Sequence, residues 1–238
     1  MRNFRASLWI IASIYLLLSS CAQPQTTHYF LLDFVPQPTA ARLAKGPWPH
    51  RVRIKDFSIA EAYHRDQMVY RQSAHELRFY NYELWAVKPE VLVSDMIFQQ
   101  FRDAHLFMEL TRSVEQEESE YILRGEITAI EEYDNVDQWY AHLAMSMSLQ
   151  DSKTLAVVWS QTWDYRKKVA QQEPVFVVRE LSVLLEKIGV EATDQLDAYF
   201  AKLPTTIPDS SQAKDSDLPG AVLGAVFLCA RRSQRSAH

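Results

Sequence analysis

Residues 121–129 read Tyr-Ile-Leu-Arg-Gly-Glu-Ile-Thr-Ala, and this stretch decides the fold class. Every second residue from Tyr121 to Ala129 falls on one face, the two-residue period of a β-strand. The alternation returns over residues 139–149 and 155–163, and Asp, Asn and Ser, which bond nearby backbone in turns, fill the connections. The sequence therefore predicts three long antiparallel strands with one buried face.

Two helices flank these strands in the sequence. The first is predicted from Pro89 to about His105, because proline suits the first helical position and apolar residues then recur at spacings of three and four. The second is predicted from Pro174 to just before Pro204 on a longer apolar stripe. Shorter strands are predicted at residues 28–34, 51–57, 67–71, 76–82 and 106–110, with a proline-rich loop at 35–49.

The order of elements is strands, helix, strands, helix. Groups of strands that are each followed by one helix predict an α+β domain, a mainly antiparallel sheet with two helices packed on one face. On the uncovered face, Trp163 and Tyr165 would meet a partner. The alternative is that Trp159 and Trp163 pack in the core, as most strand aromatics do, or are merely solvated.

The first 21 residues form the pattern of a bacterial lipoprotein signal. Two arginines precede an apolar run from Leu8 to Leu18, and Ser19 and Ser20 lead to Cys21. The run is well short of the roughly 20 residues that span a bilayer, which disfavours a transmembrane anchor. The stretch resembles a lipobox, which implies a mature chain that begins at Cys21 and carries a covalent lipid there. Ala22, in place of the aspartate that retains lipoproteins at the inner membrane, favours the outer membrane, facing the periplasm.

Composition then divides the chain. We predict a signal peptide at 1–20, a tether at 21–27 after the lipidated cysteine, an α+β domain at 28–203 and a flexible tail at 204–238. An apolar run at 221–230 is too short to cross a membrane, and a surface anchor, a partner-binding end or no role at all stay open for it.

Charge and cysteine usage exclude several functions. The formal charge of −5 becomes −7 once Arg2 and Arg5 leave with the signal, so nucleic acid is not an expected partner. Of the two cysteines, lipidation uses Cys21, and Cys229 is left without an intramolecular partner. Stability must therefore come from core burial.

No catalytic motif is present in the sequence. Five glycines form no phosphate-binding loop, no two histidines have the spacing of a helical zinc site, and no serine stands in a nucleophile elbow. The pairs Glu131-Glu132 and Glu117-Glu118 could be glycosidase carboxylates, but strand neighbours point to opposite faces, so we interpret them as solvated surface charges. We expect no enzyme activity, no metal and no cofactor besides the lipid on Cys21.

A family resemblance covers most of residues 29–203. After Cys21 come His-Tyr-Phe-Leu-Leu at 28–32, Arg-Val-Arg-Ile at 51–54, Met-Val-Tyr-Arg at 68–71 and Tyr-Asn-Tyr-Glu-Leu-Trp at 80–85, followed by Pro89. In this order they resemble the ABC-type transport auxiliary lipoproteins, whose best-known branch accompanies the paraquat-inducible MCE transport system. The resemblance implies a non-catalytic periplasmic component that works with an MCE-domain protein, an ABC permease and an ATPase to move lipids or apolar substrates between the two membranes.

The resemblance also implies residue roles. Cys21 would tether the domain to the outer membrane, and a self-associating ring is compatible with a docking role. Tyr80, Tyr82, Trp85 and Pro89 form an aromatic turn that either fixes the entry into the helix or binds a partner. A regulator of cell-wall synthesis, a secretion accessory and a periplasmic hydrolase remain as alternatives.

Overall fold

The computed structural model describes residues 25–36, 40–113, 119–135 and 137–203. Cys21, the signal region and the tail after Leu203 lie outside the described residues. The elements are β1 (His28–Phe30), α1 (Ala40–Lys45), β2 (Trp48–Ile54), β3 (Ser58–Ile59), a 3₁₀ helix (Glu61–Tyr63), β4 (Gln67–Ser73), β5 (Glu76–Trp85), α2 (Pro89–Asp103), β6 (Phe107–Thr111), β7 (Tyr121–Asn135), β8 (Gln138–Asp151), β9 (Val157–Lys168) and α3 (Pro174–Phe200).

The strand β7 is the centre of the sheet. Along its whole length it pairs antiparallel with β8, from Tyr121 opposite Asp151 to Asn135 opposite Gln138. β8 in turn pairs antiparallel with β9. The three long antiparallel strands predicted from the alternation at 121–129 are confirmed.

The other edge of β7 carries three strands in succession. β2, β3 and β4 each pair with it in parallel, at residues 121–123, 126–127 and 132–133 of β7. Two further parallel pairs join β2 to β6 and β1 to β5, while β4 and β5 form an antiparallel hairpin. The α+β class with a mainly antiparallel sheet is confirmed, since the long pairings of β7, β8 and β9 are antiparallel, and the parallel pairs make the sheet a mixed one. Parallel neighbours need a crossover connection, and the segment from β2 through α2 to β6 supplies one.

Both long helices lie on one face of the sheet. The Phe57 ring lies directly over Gly125 of β7, and the Phe57 amide donates to Ser94 Oγ of α2 at 2.9 Å. On the same face, Trp163 Nε1 of β9 donates to Glu191 Oε2 of α3 at 2.9 Å. The two helices also pack against each other. The prediction that both helices lie on one face of the sheet is confirmed.

The helix α3 crosses the whole face. Its 27 residues span about 40 Å at 1.5 Å per residue. At its far end the Phe200 ring packs against Trp48, Phe107 and Tyr121. Its first half lies beside the chain that follows β1. One prediction here is wrong, because the expected loop at 35–49 contains α1 and the first residues of β2.

Candidate functional site

A groove runs between the chain at residues 27–35 and the first half of α3. It consists of two adjoining hollows of about 550 and 560 Å³ that share Tyr29, Phe30 and Val175 in their walls. Each volume falls within the roughly 300–1,000 Å³ of small-molecule sites. We call the two hollows together the α3 groove.

Local sequence explains why the groove exists. Beyond β1, Leu32 and Phe34 are buried in the core, so Leu31, Asp33 and Val35 between them point outward. The Asp33 amide donates to Ser182 Oγ at 3.1 Å, which fixes this segment to α3. The Ser182 hydroxyl in turn donates to the Val178 carbonyl oxygen at 3.0 Å.

The groove exposes apolar side chains to solvent. Tyr29 is 66% exposed, Leu31 54%, Val35 71%, Val175 50% and Val183 38%. Single exposed apolar residues are ordinary, but five along one groove make it the candidate binding surface of the described residues.

Charged side chains stand among these apolar ones. Asp33, Arg179 and Glu186 line the first hollow, of about 550 Å³, and none of their side chains bonds to another described residue. In the second hollow, His28 Nδ1 lies 3.0 Å from Glu83 Oε1, and Glu173 lies at the N-terminal end of α3. The charged groups of the first hollow are therefore free to meet a ligand.

The predicted aromatic turn divides between the core and the surface. Trp85 is 4% exposed at the end of β5, and Pro89 is buried at the first residues of α2, where its missing amide hydrogen is not needed. The Tyr80 hydroxyl donates a hydrogen bond to Glu132 Oε2, whereas the Tyr82 side chain is exposed. Of these four residues, Tyr82 is placed where a partner can reach it. None of them lines the α3 groove.

The location of Trp163 and Tyr165 on an uncovered, partner-binding face is wrong. Trp163 is buried, and both side chains donate to Glu191 of α3, Tyr165 Oη at 2.8 Å. Both side chains lie on the face of the sheet that α3 covers, so they pack against the helix and are not available to a partner.

The interpretation of Glu131 and Glu132 as solvated surface charges is also wrong. They do point to opposite faces, but both are buried. Oε1 of Glu131 accepts hydrogen bonds from Arg71 Nε at 2.8 Å and from His142 Nδ1 at 2.9 Å. Oε2 accepts one from the Tyr63 hydroxyl at 2.6 Å.

These donors determine the charge state of Glu131. Burial by itself would raise its pKa, but the hydrogen bonds from His142, Arg71 and Tyr63 outweigh burial and hold the pKa below its usual range. The same burial and the neighbouring carboxylate raise the pKa of Tyr63 to about 12. These side chains form an internal hydrogen-bonded network, and none of them lines the α3 groove.

Two other features, a metal site and a membrane-spanning helix, are not found among the described residues. Within the described ranges, no three His, Cys, Asp or Glu side chains are placed to hold a metal ion. None of the helices in that part of the chain combines the length and apolar character of a membrane span.

Sequence reasoning missed the α3 groove, although a signal for it existed. The prediction of α3 used only the apolar stripe that faces the core. A second stripe is formed, at helical spacings, by Val175, Arg179, Ser182, Val183 and Glu186. A mixed apolar and charged stripe is also typical of a solvent-exposed helix face, so only the approach of residues 29–35 identifies it as a groove wall.

Two solved structures of low sequence identity share this fold. Protein XCC0632 from Xanthomonas campestris is 16% identical, with a TM-score of 0.65 over 73% of this chain and 96% of that one. A crystal structure of an uncharacterized protein is 10% identical, with a TM-score of 0.57 over 72% and 99%. The PelC dodecamer from Paraburkholderia phytofirmans is 12% identical, with a TM-score of 0.43 over 63% and 88%. No curated protein matches the chain.

Family membership rests on the sequence itself. The model of the ABC-type transport auxiliary lipoprotein component family matches residues 30–192. This range covers more than half of the chain and runs from the end of β1 through most of α3. The chain therefore belongs to the family of ABC-type transport auxiliary lipoprotein components.

Proposed function

We propose that this protein is a non-catalytic periplasmic component of an ABC/MCE-type envelope transport system. The system would move lipids or other apolar substrates between the inner and outer membranes, and this chain would be its outer-membrane tether and docking partner. Family membership supports a role beside an ABC transporter, and the lipoprotein character of the family supports attachment to an envelope membrane.

One observation carries the tethering role. The described chain starts at Gln25, four residues after Cys21, and enters the edge strand β1 at His28. The seven residues from Cys21 to His28 reach at most about 25 Å. A lipid on Cys21 would therefore hold the β1 edge close to the membrane and leave the remaining surfaces to the periplasm, where a partner assembly can reach them.

The buried acids support a non-catalytic role. The Glu131 carboxylate is satisfied by three donors from its own fold, and neither Glu131 nor Glu132 lines the α3 groove. An internal network of this kind holds a fold together and presents no group to a substrate. In the proposed system the energy comes from the ATPase chain.

Lipid labelling and membrane fractionation test the anchor. Clickable palmitate should label the unmodified protein and not Cys21→Ala, and equal labelling of the two would contradict the anchor. Ala22→Asp, which restores the retention signal, should move the protein from the outer-membrane to the inner-membrane fraction. Both variants change residues outside the described ranges, and thermal unfolding of the two variants serves as the control.

Affinity capture in mild detergent tests the docking role. The unmodified, membrane-derived protein should retain the MCE-domain protein and the ABC permease, and Tyr82→Ala should weaken this capture because Tyr82 is exposed on β5. Met108→Ala is the matched control, since Met108 is even more exposed, at 63%, but lies on β6. Recovery of a cell-wall synthase or a secretion pore with no MCE protein would favour the competing classes.

A homo-oligomer forms part of the proposal. β9 is an edge strand of 12 residues, and within the described chain its outer side pairs with no other strand. Unpaired edges of this length are ready to pair with a second chain. Native mass spectrometry from detergent should show a closed oligomer, and Thr162→Pro, in the middle of β9, should reduce it to monomer.

A further inference from the structure

We infer that the α3 groove binds a membrane phospholipid, with an acyl chain along its apolar lining and a zwitterionic headgroup at its charged side chains. The inference rests on the proposed function in one respect, because it requires the groove to face a membrane.

The lining of the groove provides the site for the acyl chain. Tyr29, Leu31, Val35, Val175 and Val183 are exposed along one continuous depression rather than scattered over the surface. Covering such side chains with a hydrocarbon chain removes apolar surface from water on both partners. Each hollow has the volume of a small-molecule site, which suits a single lipid molecule.

The charges select the headgroup. The first hollow carries one cation, Arg179, and two acids, Asp33 and Glu186, and none of the three side chains has a partner among the described residues. A phosphate beside Arg179 and an ammonium beside the acids would complement this set. A purely anionic headgroup would satisfy Arg179 but meet two carboxylates.

The position of the groove gives it access to lipid. Thr27, His28 and Tyr29 are part of its wall, and Thr27 follows Cys21 by six residues. Six residues span at most about 21 Å. A lipid leaving the membrane beside the anchor would therefore meet this surface first.

Photocrosslinking tests the site directly. Full-length lipidated protein is placed in phosphatidylethanolamine vesicles that contain a tracer of the same lipid with a diazirine on its acyl chain. After irradiation, labelled peptides should map to residues 27–35 and 174–186. Val183→Glu places a charge in the groove wall and should reduce this labelling about tenfold.

The helix offers a matched control for this variant. Val190 lies two turns further along α3, is 36% exposed against 38% for Val183, and does not line the groove. Val190→Glu should leave the labelling unchanged, and both variants should unfold at the temperature of the unmodified protein. Equal labelling of Val183→Glu and Val190→Glu would overturn the inference.

Headgroup exchange tests the charges. Labelling should be stronger with phosphatidylethanolamine than with phosphatidylglycerol, and Arg179→Gln should weaken labelling by both. Asp33→Asn with Glu186→Gln should remove the preference between the two lipids. A preference for phosphatidylglycerol in the unmodified protein would contradict a zwitterionic ligand.

Two further outcomes separate the sources and the proposals. If a diazirine fatty acid attached to Cys21 labels the groove and the vesicle lipid does not, the occupant is the protein's own anchor and the inference is wrong. If Val183→Glu loses lipid labelling but still captures the MCE protein, the groove acts apart from docking. Lost capture with retained labelling would instead contradict the proposed function alone.

Discussion

Tyr80 donates a hydrogen bond from its hydroxyl to Glu132 Oε2 at 2.9 Å, while Oε1 of the same carboxylate is buried with no hydrogen-bond partner among the described residues. Burial raises the pKa of Glu132 to about 7, and nearby Asp134 adds to the rise, although the bond from Tyr80 lowers it. Near neutral pH the folded protein therefore holds a proton on Glu132 that the unfolded chain does not.

This proton makes stability depend on pH. Because the pKa of Glu132 is raised on folding, the contribution of Glu132 to the free energy of unfolding is fully present below about pH 4.5, its ordinary value, and is lost as the pH rises to about 7. Glu132→Gln, an uncharged isostere, should remove a loss of up to about 3 kcal/mol over this range. Urea unfolding at pH 5 and pH 8 measures it, and an unchanged difference between the two pH values would contradict the assignment.

Glu131 should show the opposite dependence. Its pKa is lowered on folding, so its contribution is present above its ordinary pKa and is lost as the pH falls below that value. Glu131→Gln should therefore flatten the stability profile on the acid side and leave the range between pH 5 and 8 unchanged. The two variants act in separate pH ranges, and each serves as the control for the other.

Arg71→Met should destabilise the protein strongly. It removes the guanidinium from Glu131, whose side chain is only 1% exposed, and leaves a buried carboxylate with fewer donors. We expect a loss of about 3 kcal/mol in the free energy of unfolding, measured by urea titration at pH 7. The control is Arg78→Met, because Arg78 forms an ion pair with Glu76 in full contact with water, and this change should not alter the midpoint. Equal effects of the two substitutions would show that the Glu131 network adds nothing to stability.

Gly125→Ala should be costly even though alanine suits a strand better. A methyl group at position 125 would overlap the Phe57 ring, so the ring must move away from β7. Overpacking of this kind costs about 1–3 kcal/mol. At Gly189 of α3 an added methyl group would lie 3.1 Å from Gln100 Cγ and 3.6 Å from Ile97 Cδ1, a much looser approach than at Gly125. Gly189→Ala also gains helix propensity, so it should be close to neutral. Thermal unfolding of both variants checks the difference.

Trp85 and Tyr82 should separate stability from docking. Trp85→Ala empties a buried position and should lower the free energy of unfolding by about 3–5 kcal/mol. Tyr82→Ala removes an exposed ring and should change it by less than about 0.5 kcal/mol. A large loss of stability in Tyr82→Ala would mean that its weaker partner capture has a structural cause.

Strands and helices were predictable where the chain has a strong period. The alternation around Gly125 predicted β7 to β9, and the spacing after Pro89 and Pro174 predicted both helices within a few residues. The parallel pairings were not predictable. The sequence around Val52 does not indicate that Val52 pairs with Tyr121 of β7, and the sequence around Tyr70 does not indicate that Tyr70 pairs with Glu132. Such register is set by the packing of α2 and the whole sheet.

The candidate site was less predictable than the fold. Glu131 and Glu132 gave no sign of burial, because a pair of acids in a strand has the composition of a solvated surface. Their burial depends on Tyr63, Arg71 and Tyr80, which lie 50 to 70 residues earlier in the sequence. The α3 groove likewise joins residues about 150 positions apart, as in the bond between Asp33 and Ser182.

The central position of β7 has a consequence for the order of folding. β2, β3 and β4 cannot pair with β7 until residues 121–133 have been synthesised. Before that point, the hairpin of β4 and β5 is a pairing that neighbouring residues can form on their own. Pairings across such sequence separations make folding slow. In the proposed periplasmic role the chain would cross the inner membrane before it folds, and it would benefit from this delay because β2, β3 and β4 lack their partner strand until β7 has emerged.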